Sequence, residues 1–281
     1  MGTKRVSKGA AYGKKVKRHG IIHSCMKKLA LCLSLFQAVS TAPLSAESLV
    51  FEAGPERNTL VQLFTSDASA HTLPALGWMT EQARKDPKAV LWQTFVPVAL
   101  HVNLWDADGY KDVFARPEFT QMLIQYRGSW KVTNVYPPTM AANGIEWSGW
   151  SRGQEPPSNR SESTGVLSIR VTDPRAGKFS ASFKPGPAFE GGQFTLHACL
   201  LGFDQRSKPA DGKNRGKSLQ HDFIVRQYRT QGFITISGSH QAVVELPMPL
   251  AIRQERYGAA FWVTKKGGFQ PLQATGGFLP L

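Results

Sequence analysis

The run LVQLFTSDASAHTLPAL, Leu60 to Leu76, constrains the fold of this chain more than any other stretch. A β-rich apolar segment, Leu60 to Phe64, leads into a small polar loop, Thr65 to His71. Apolar residues at helical spacing follow, at Leu73, Leu76, Met79 and Ala83. The pattern reads as strand, loop, helix. Thr72 suits the N-cap of a helix beginning at Leu73, and Pro74 falls in the first turn, where a missing N–H does no harm. Unpaired N–H groups and a positive partial charge gather at such a helix start, which is how redox enzymes lower the pKa of a thiol there. Here the two positions that would carry a thiol pair are Ser69 and Thr72. Thiol–disulfide exchange needs a thiolate, so the loop has the outline of a redox site without its sulfur. The plainer reading is a capped helix start and nothing more.

Residues 1–46 read as a targeting segment. Nine Lys or Arg and no acid occupy Met1 to Lys28, an apolar run covers Leu29 to Val39, and small residues lead to Ala46. That is the order of a secretory signal, and the apolar run is too short for a permanent membrane span. Cleavage is expected after Ala46, with Met1 or Met26 as the start. The whole chain has 34 basic and 20 acidic residues, a net charge of +14. Taking the nine from 34 leaves 25 against 20, or +5, so the basic character is largely the leader's and no nucleic-acid partner is expected. Cys25 and Cys32 leave with the leader. Cys199 alone remains, so no intramolecular disulfide is possible, and Cys199 reads as a small apolar strand residue.

In the mature part, a helix is expected from Leu73 to Arg84, ended by Lys85-Asp86-Pro87, and a buried strand from Pro97 to Val102. Alternation places His101 and Asn103 on one face at its end. Asp106-Ala-Asp-Gly109 reads as a turn. Arg116-Pro117 opens a second helix with Phe119, Met122, Leu123 and Tyr126 as its stripe. Pro137-Pro138 leads into a strand at Thr139 to Ala142, Asn143-Gly144 is a hairpin turn, and Ile145 to Trp150 is the return strand. Ser151 to Thr164 is polar and reads as a linker. Beyond it, short β-like runs with Gly and Pro punctuation cover Gly165–Thr172, Lys178–Lys184, Gln193–Leu201, Gly232–Ser237 and Gly258–Thr264.

Taken in order, these stretches resemble a family of bacterial secreted proteins known as domain of unknown function 1223, whose N-terminal half is thioredoxin-like. Its loop Val-Glu-Leu-Phe-Thr-Ser-Gln-Gly-Cys-Ser-Ser-Cys-Pro-Pro is similar to Val61–Pro74. Its His-Val-Asp-Tyr-Trp-Asp is similar to His101–Asp106, and its Gly-Trp-Lys-Asp-Pro-Phe to Gly109–Phe114. Tyr-Thr-Pro-Gln-Met-Val-Val-Asn-Gly resembles Tyr136–Gly144, and a later Gly-Arg-Thr-Leu-x-His-x-Asn-Val-Val-Arg resembles Gly216–Arg226. The chain departs from the family at both cysteines, Ser69 and Thr72, and at Asn103. The resemblance implies an α/β thioredoxin-like domain over 47–150; beyond the linker 151–164 the short β-like runs read as a small antiparallel β-sandwich-like domain over 165–281. The resemblance also implies that Pro138 is the cis proline beside the active loop.

Two functional readings follow. In the first, the protein is exported, secreted or periplasmic, redox-inactive and not an enzyme. It binds an unknown peptide, protein or small molecule along Ser69, His71, Thr72, His101, Asn103, Pro138 and Thr139, since backbone pairing at a sheet edge needs no sulfur. In the second it is an enzyme, with Ser69 as nucleophile and His71 or His101 as base, or with Ser69 hydrogen-bonding a bound thiolate. Ser69 and His71 are two apart and face different ways, and no Gly-x-Ser-x-Gly elbow exists. No histidine pair stands at ligand spacing, so neither metal nor cofactor is expected. The set His71, His101 and Asp106 is the candidate if there were one. His221 reads as a structural residue.

Overall fold

Thr59–Thr65 and Phe95–His101 are buried at every position, as strands are when both faces of their sheet are covered. They run parallel, from Thr59 opposite Phe95 to Thr65 opposite His101. The computed structural model describes residues 49–85, 91–106, 110–158, 160–249 and 256–280. These belong to one compact unit, Glu47–Leu281. The expected leader 1–46, the helix stop at Asp86-Pro87 and residues 107–109 of the expected turn lie outside them.

In chain order the elements are β1 (Val50–Ala53), β2 (Thr59–Thr65), α1 (Thr72–Arg84), β3 (Phe95–His101), α2 (Pro117–Trp130), β4 (Thr139–Ala142) and β5 (Ile145–Glu146). Then come β6 (Gly165–Asp173), β7 (Lys178–Pro185), β8 (Phe194–Gly202), β9 (Gln205–Ser207), β10 (Leu219–His221), β11 (Ile224–Gly232), β12 (Ile234–Ile236), β13 (Ser239–Glu245), β14 (Tyr257–Lys265) and β15 (Pro271–Phe278). An eight-stranded mixed sheet has the order β15-β14-β8-β11-β3-β2-β4-β5. An antiparallel five-stranded sheet has the order β1-β6-β7-β13-β12, and β9 and β10 form a short ribbon.

The alternation of β14 shows how the layers meet. Tyr257, Ala259, Phe261 and Val263 join Phe51, Ile169, Phe179 and Phe183 in the core between the two large sheets. Ala260 and Trp262 point the other way, into the core that Leu76 and Met79 of α1 and Phe119 and Leu123 of α2 share with β2 and β3. A strand buried on both sides reads as a continuous apolar run, as Gly258–Val263 does.

These findings overturn the expected fold class. Strands make up 44% of the described residues, which hold two α-helices. It is a mostly β protein, not an α/β thioredoxin-like domain followed by a small sandwich. The large sheet takes strands from both sides of 151–164: β11 lies beside β3, with Ala99 N–H donating to the Phe223 carbonyl at 2.9 Å. In the other sheet β1 pairs with β6. The physical reason is the edge of β3. Its backbone groups need partners on both sides, and β11, more than 120 positions later, supplies them on one. The polar stretch 151–164 is likewise tied down at its end, where Arg57 meets Glu162 at 2.8 Å and Thr164 N–H donates to the Pro55 carbonyl at 3.1 Å.

Locally the expectations fare better. The strand–loop–helix unit is present, and so is the Asn143-Gly144 hairpin, with φ of 49° and 80° at those residues. The Pro137–Pro138 bond is cis. The return strand is shorter than expected, Ile145–Glu146. Thr72 is the first helical residue, with His71 at the cap position and no side-chain cap bond.

Candidate functional site

The ends of β2 and β3 lie side by side because the strands are parallel, so whatever follows Thr65 meets His101. The residue that does so is Asp67. Its N–H donates to Asp112 Oδ2 at 2.9 Å, and the same oxygen lies 2.8 Å from His101 Nδ1. Asp112 is pinned in turn by the Phe114 N–H on its other oxygen, at 2.9 Å. The β9–β10 ribbon closes the cluster from above. Ser207 Oγ donates to Asp67 Oδ2 at 2.5 Å and lies 2.8 Å from His221 Nε2. His221 Nε2 is 3.6 Å from Asp67 Oδ1, and His101 Nδ1 is 3.9 Å from it. Asn214 donates to the carbonyls of Asp67 at 3.0 Å and Ser69 at 2.8 Å, fixing the loop to the β half.

Asp67, His101, Asp112 and His221 are all at least 97% buried, and their charges sort accordingly. Burial works against a charged His101, but Asp112, by charge and hydrogen bond, and Asp67 outweigh it and raise its pKa. Burial would also raise Asp112, yet His101 and the amides of Asp67 and Phe114 bring it down to about 2. For Asp67 burial wins and the pKa rises. For His221 burial, helped by the nearby His101, lowers the pKa to about 3. The result is an ion pair, His101 with Asp112, beside a neutral His221. Asp67 Oδ1, His101 Nε2 and His221 Nδ1 are buried without a hydrogen-bond partner.

The residues expected to form one surface are dispersed. Ser69 is buried, and its hydroxyl donates to the Pro137 carbonyl at 3.0 Å, so this residue and the Pro137–Pro138 turn do meet. Thr72 Oγ1 donates to the Ser66 carbonyl at 2.7 Å and lies 2.9 Å from Thr65 Oγ1. Thr139 bonds back to the Tyr136 carbonyl. His71 is exposed. Asn103 turns to α2, where its N–H and Oδ1 both bond Thr120 Oγ1. Among the described residues no histidine ring nitrogen is a hydrogen-bond partner of Ser69, and His101 gathers with Asp67 and His221, not with His71 and Asp106. Sequence reasoning missed Asp67, Asp112, Ser207 and Asn214, and gave His221 only a structural role. The available signal was acidic: Asp67 two residues after a mostly apolar strand, and Asp112 in the polar stretch after His101.

Beside the cluster is a cavity of about 420 Å³, lined by Ala68, Trp105, Tyr110, Asp211, Gly212 and Lys213. Burial, together with the charges of Asp67 and Asp112, raises the Tyr110 pKa, so its phenol keeps its proton.

Fold and site define a mostly β protein with a buried Asp/His cluster at the carboxyl ends of two parallel strands. The sequence model of one family, described as protein of unknown function (DUF1223), matches residues 60–264, and the chain belongs to that family. Two solved structures share the fold. One is the crystal structure of protein AGR_C_4864 from Agrobacterium tumefaciens, with 18% identity and a TM-score of 0.53, covering 81% of this chain and 96% of that one. The other is HBP35 of Porphyromonas gingivalis, with 14% identity and a TM-score of 0.52, covering 80% of this chain and 76% of that one. No curated protein matches the chain.

Proposed function

We propose that this member of the DUF1223 family is an exported binding protein that works without dithiol–disulfide chemistry. The observation that carries the reading is how the loop's hydroxyls are used. Ser69 and Thr72 each spend their oxygen on a backbone carbonyl. Cys199 is fully buried, and burial pushes its thiol well above the usual range. No thiolate is therefore at hand. Ser69 is not favoured as a nucleophile either, since it has a carbonyl rather than a base as its partner. The cavity over Ala68, with Trp105 and Tyr110 as apolar walls and Lys213 and Asp211 as charges of opposite sign, is where a peptide or small charged ligand would sit.

The test is a disulfide-reductase assay and a thiol count on exported protein. The expected result is a chain starting near Glu47, no activity, and one thiol that reacts only on unfolding. Wild-type activity that survives Cys199→Ser overturns the redox-inactive reading, and a mature chain still carrying Leu29–Val39 overturns cleavage. For the cavity, a panel of peptides and small charged molecules is screened by thermal shift. A ligand whose shift persists in Trp105→Ala with Lys213→Glu is bound elsewhere.

A further inference from the structure

The buried Asp/His cluster is not accounted for by binding at the cavity, and its bonding is incomplete. Asp67 is 1% exposed, yet its Oδ1 has no hydrogen-bond donor. A buried carboxylate oxygen without a partner destabilises the fold, and such an atom calls for an explanation such as an ion. Two imidazoles face it. Nε2 of His221 is 3.6 Å away and Nδ1 of His101 is 3.9 Å away. One donor atom from each of the three residues lies within 4.8 Å of the other two.

We propose that Asp67, His101 and His221 form a binding site for a divalent first-row transition cation, with zinc as its representative. The donor set decides the class. Two imidazole nitrogens and one carboxylate suit zinc and its first-row neighbours, whereas calcium and magnesium take oxygen ligands in larger number. At metal–ligand bonds of about 2.0–2.1 Å in a tetrahedral site, neighbouring donors stand roughly 3.3–3.4 Å apart. The observed 3.6 and 3.9 Å, and the third pair at no more than 4.8 Å, would draw together as the cation binds. The cation would give Asp67 Oδ1 the direct partner it lacks.

The surroundings are those of a supported site. Ser207 and the Asp67 carboxylate are already joined, which holds the carboxyl plane in place. Asn214 clamps the backbone on both sides of Ala68. The cation would displace the proton that His101 Nδ1 shares with Asp112 Oδ2 at 2.8 Å, and Asp112 is then placed to supply a fourth oxygen. Phe114 packs edge-on against both imidazoles, at 5.5 Å from His101 and 5.3 Å from His221, and limits their rotation. The proposal stands independently of what the cavity over Ala68 binds.

The experiment loads the full chain, stripped with chelator, with Co²⁺ alone and then Zn²⁺ alone. The expected result is one tight equivalent of Co²⁺ with visible d–d absorption, displaced by Zn²⁺ but not by Mg²⁺, and a Zn²⁺-dependent rise in Tm. Asp67→Asn keeps the shape and removes the charge, and His221→Gln removes one nitrogen donor. Each should weaken binding beyond the ~10–100-fold that changes outside a metal's ligand shell cost, with cavity ligands still bound. His19→Gln with His23→Gln should leave the tight site intact. Absence of tight Co²⁺ binding to the wild type overturns the proposal, as does tight binding that persists in both Asp67→Asn and His221→Gln. If either variant fails to fold, the wild-type melting curve decides: Zn²⁺ without effect on Tm also overturns it.

Discussion

His197 shows what burial does to a titratable side chain that has partners but no charge. Its ring is stacked on Trp262 at 4.9 Å and on Tyr228 at 6.0 Å. Nδ1 meets the Tyr228 hydroxyl at 2.7 Å, and Nε2 meets Thr264 Oγ1 at 3.1 Å. Both nitrogens are satisfied in the neutral form, and burial lowers the pKa from 6.5 to about 3. Above pH ~6.5 the ring is neutral folded or unfolded and contributes no pH dependence. Between there and about 3 only the unfolded chain takes up the proton, so stability falls as pH falls, by up to about 1.4 kcal/mol per pH unit for this one group. Urea unfolding at pH 7.5 and pH 5 checks this. His197→Gln should be less stable at both, with a shallower difference between them, and an unchanged difference counts against the assignment. The same contrast separates what could be read beforehand at single positions. His101 was legible as a site residue because it ends an apolar strand. Its partners were not, because Asp67, Asp112 and His221 carry no local mark of burial, and only the fold removes them from water.

Among elements, the β4–β5 hairpin is the one whose chemistry is most local. Asn143 and Gly144 take left-handed φ values that suit a two-residue turn between twisted strands. Asn143 also reaches into the sheet, its Oδ1 accepting the Leu60 N–H at 2.8 Å. Gly144→Ala should cost about 1–2 kcal/mol from the φ of the residue alone, or roughly 2–8 °C in Tm for a chain of this size, without unfolding the protein. A melting curve identical to wild type would mean that the turn relaxes freely. Turns and alternating strands of this kind were legible: the runs at Gly165, Lys178, Gln193 and Gly258 all became strands. The ribbon β9–β10 was not, since three-residue strands such as Gln205–Ser207 give no periodicity to detect. Nor was the neighbour of β3, because pairing depends on which edge is left open, which no window of sequence contains.

For the molecule as a whole, the sheet order makes the two halves of the chain one folding unit. Strands β2 and β3 are enclosed between β4 and β11. Gln273, near the C-terminus, accepts the Asn58 N–H at 2.9 Å and donates to the carbonyls of Glu56 and Gly165. Residues 151–155 are exposed, so limited trypsin should cut first at Arg152. The two pieces should nonetheless elute together in size-exclusion chromatography and melt in a single transition. Release of a folded piece ending at Arg152 would contradict the shared sheet. The fold class misread from the sequence follows from this. The α/β texture of the first half is real but local, and it is set into a sheet that the second half completes.

That arrangement also imposes an order in time. As the chain is synthesised, Asp67 and His101 are made long before His221, and β3 waits for β11 to cover its open edge. Until the last third of the protein exists, an ion pair and a strand edge built for the interior remain in water, open to wrong partners. A chain interrupted before His221 is therefore marked as unfinished by its own chemistry: it exposes what the finished protein hides, and a protease can tell the two apart.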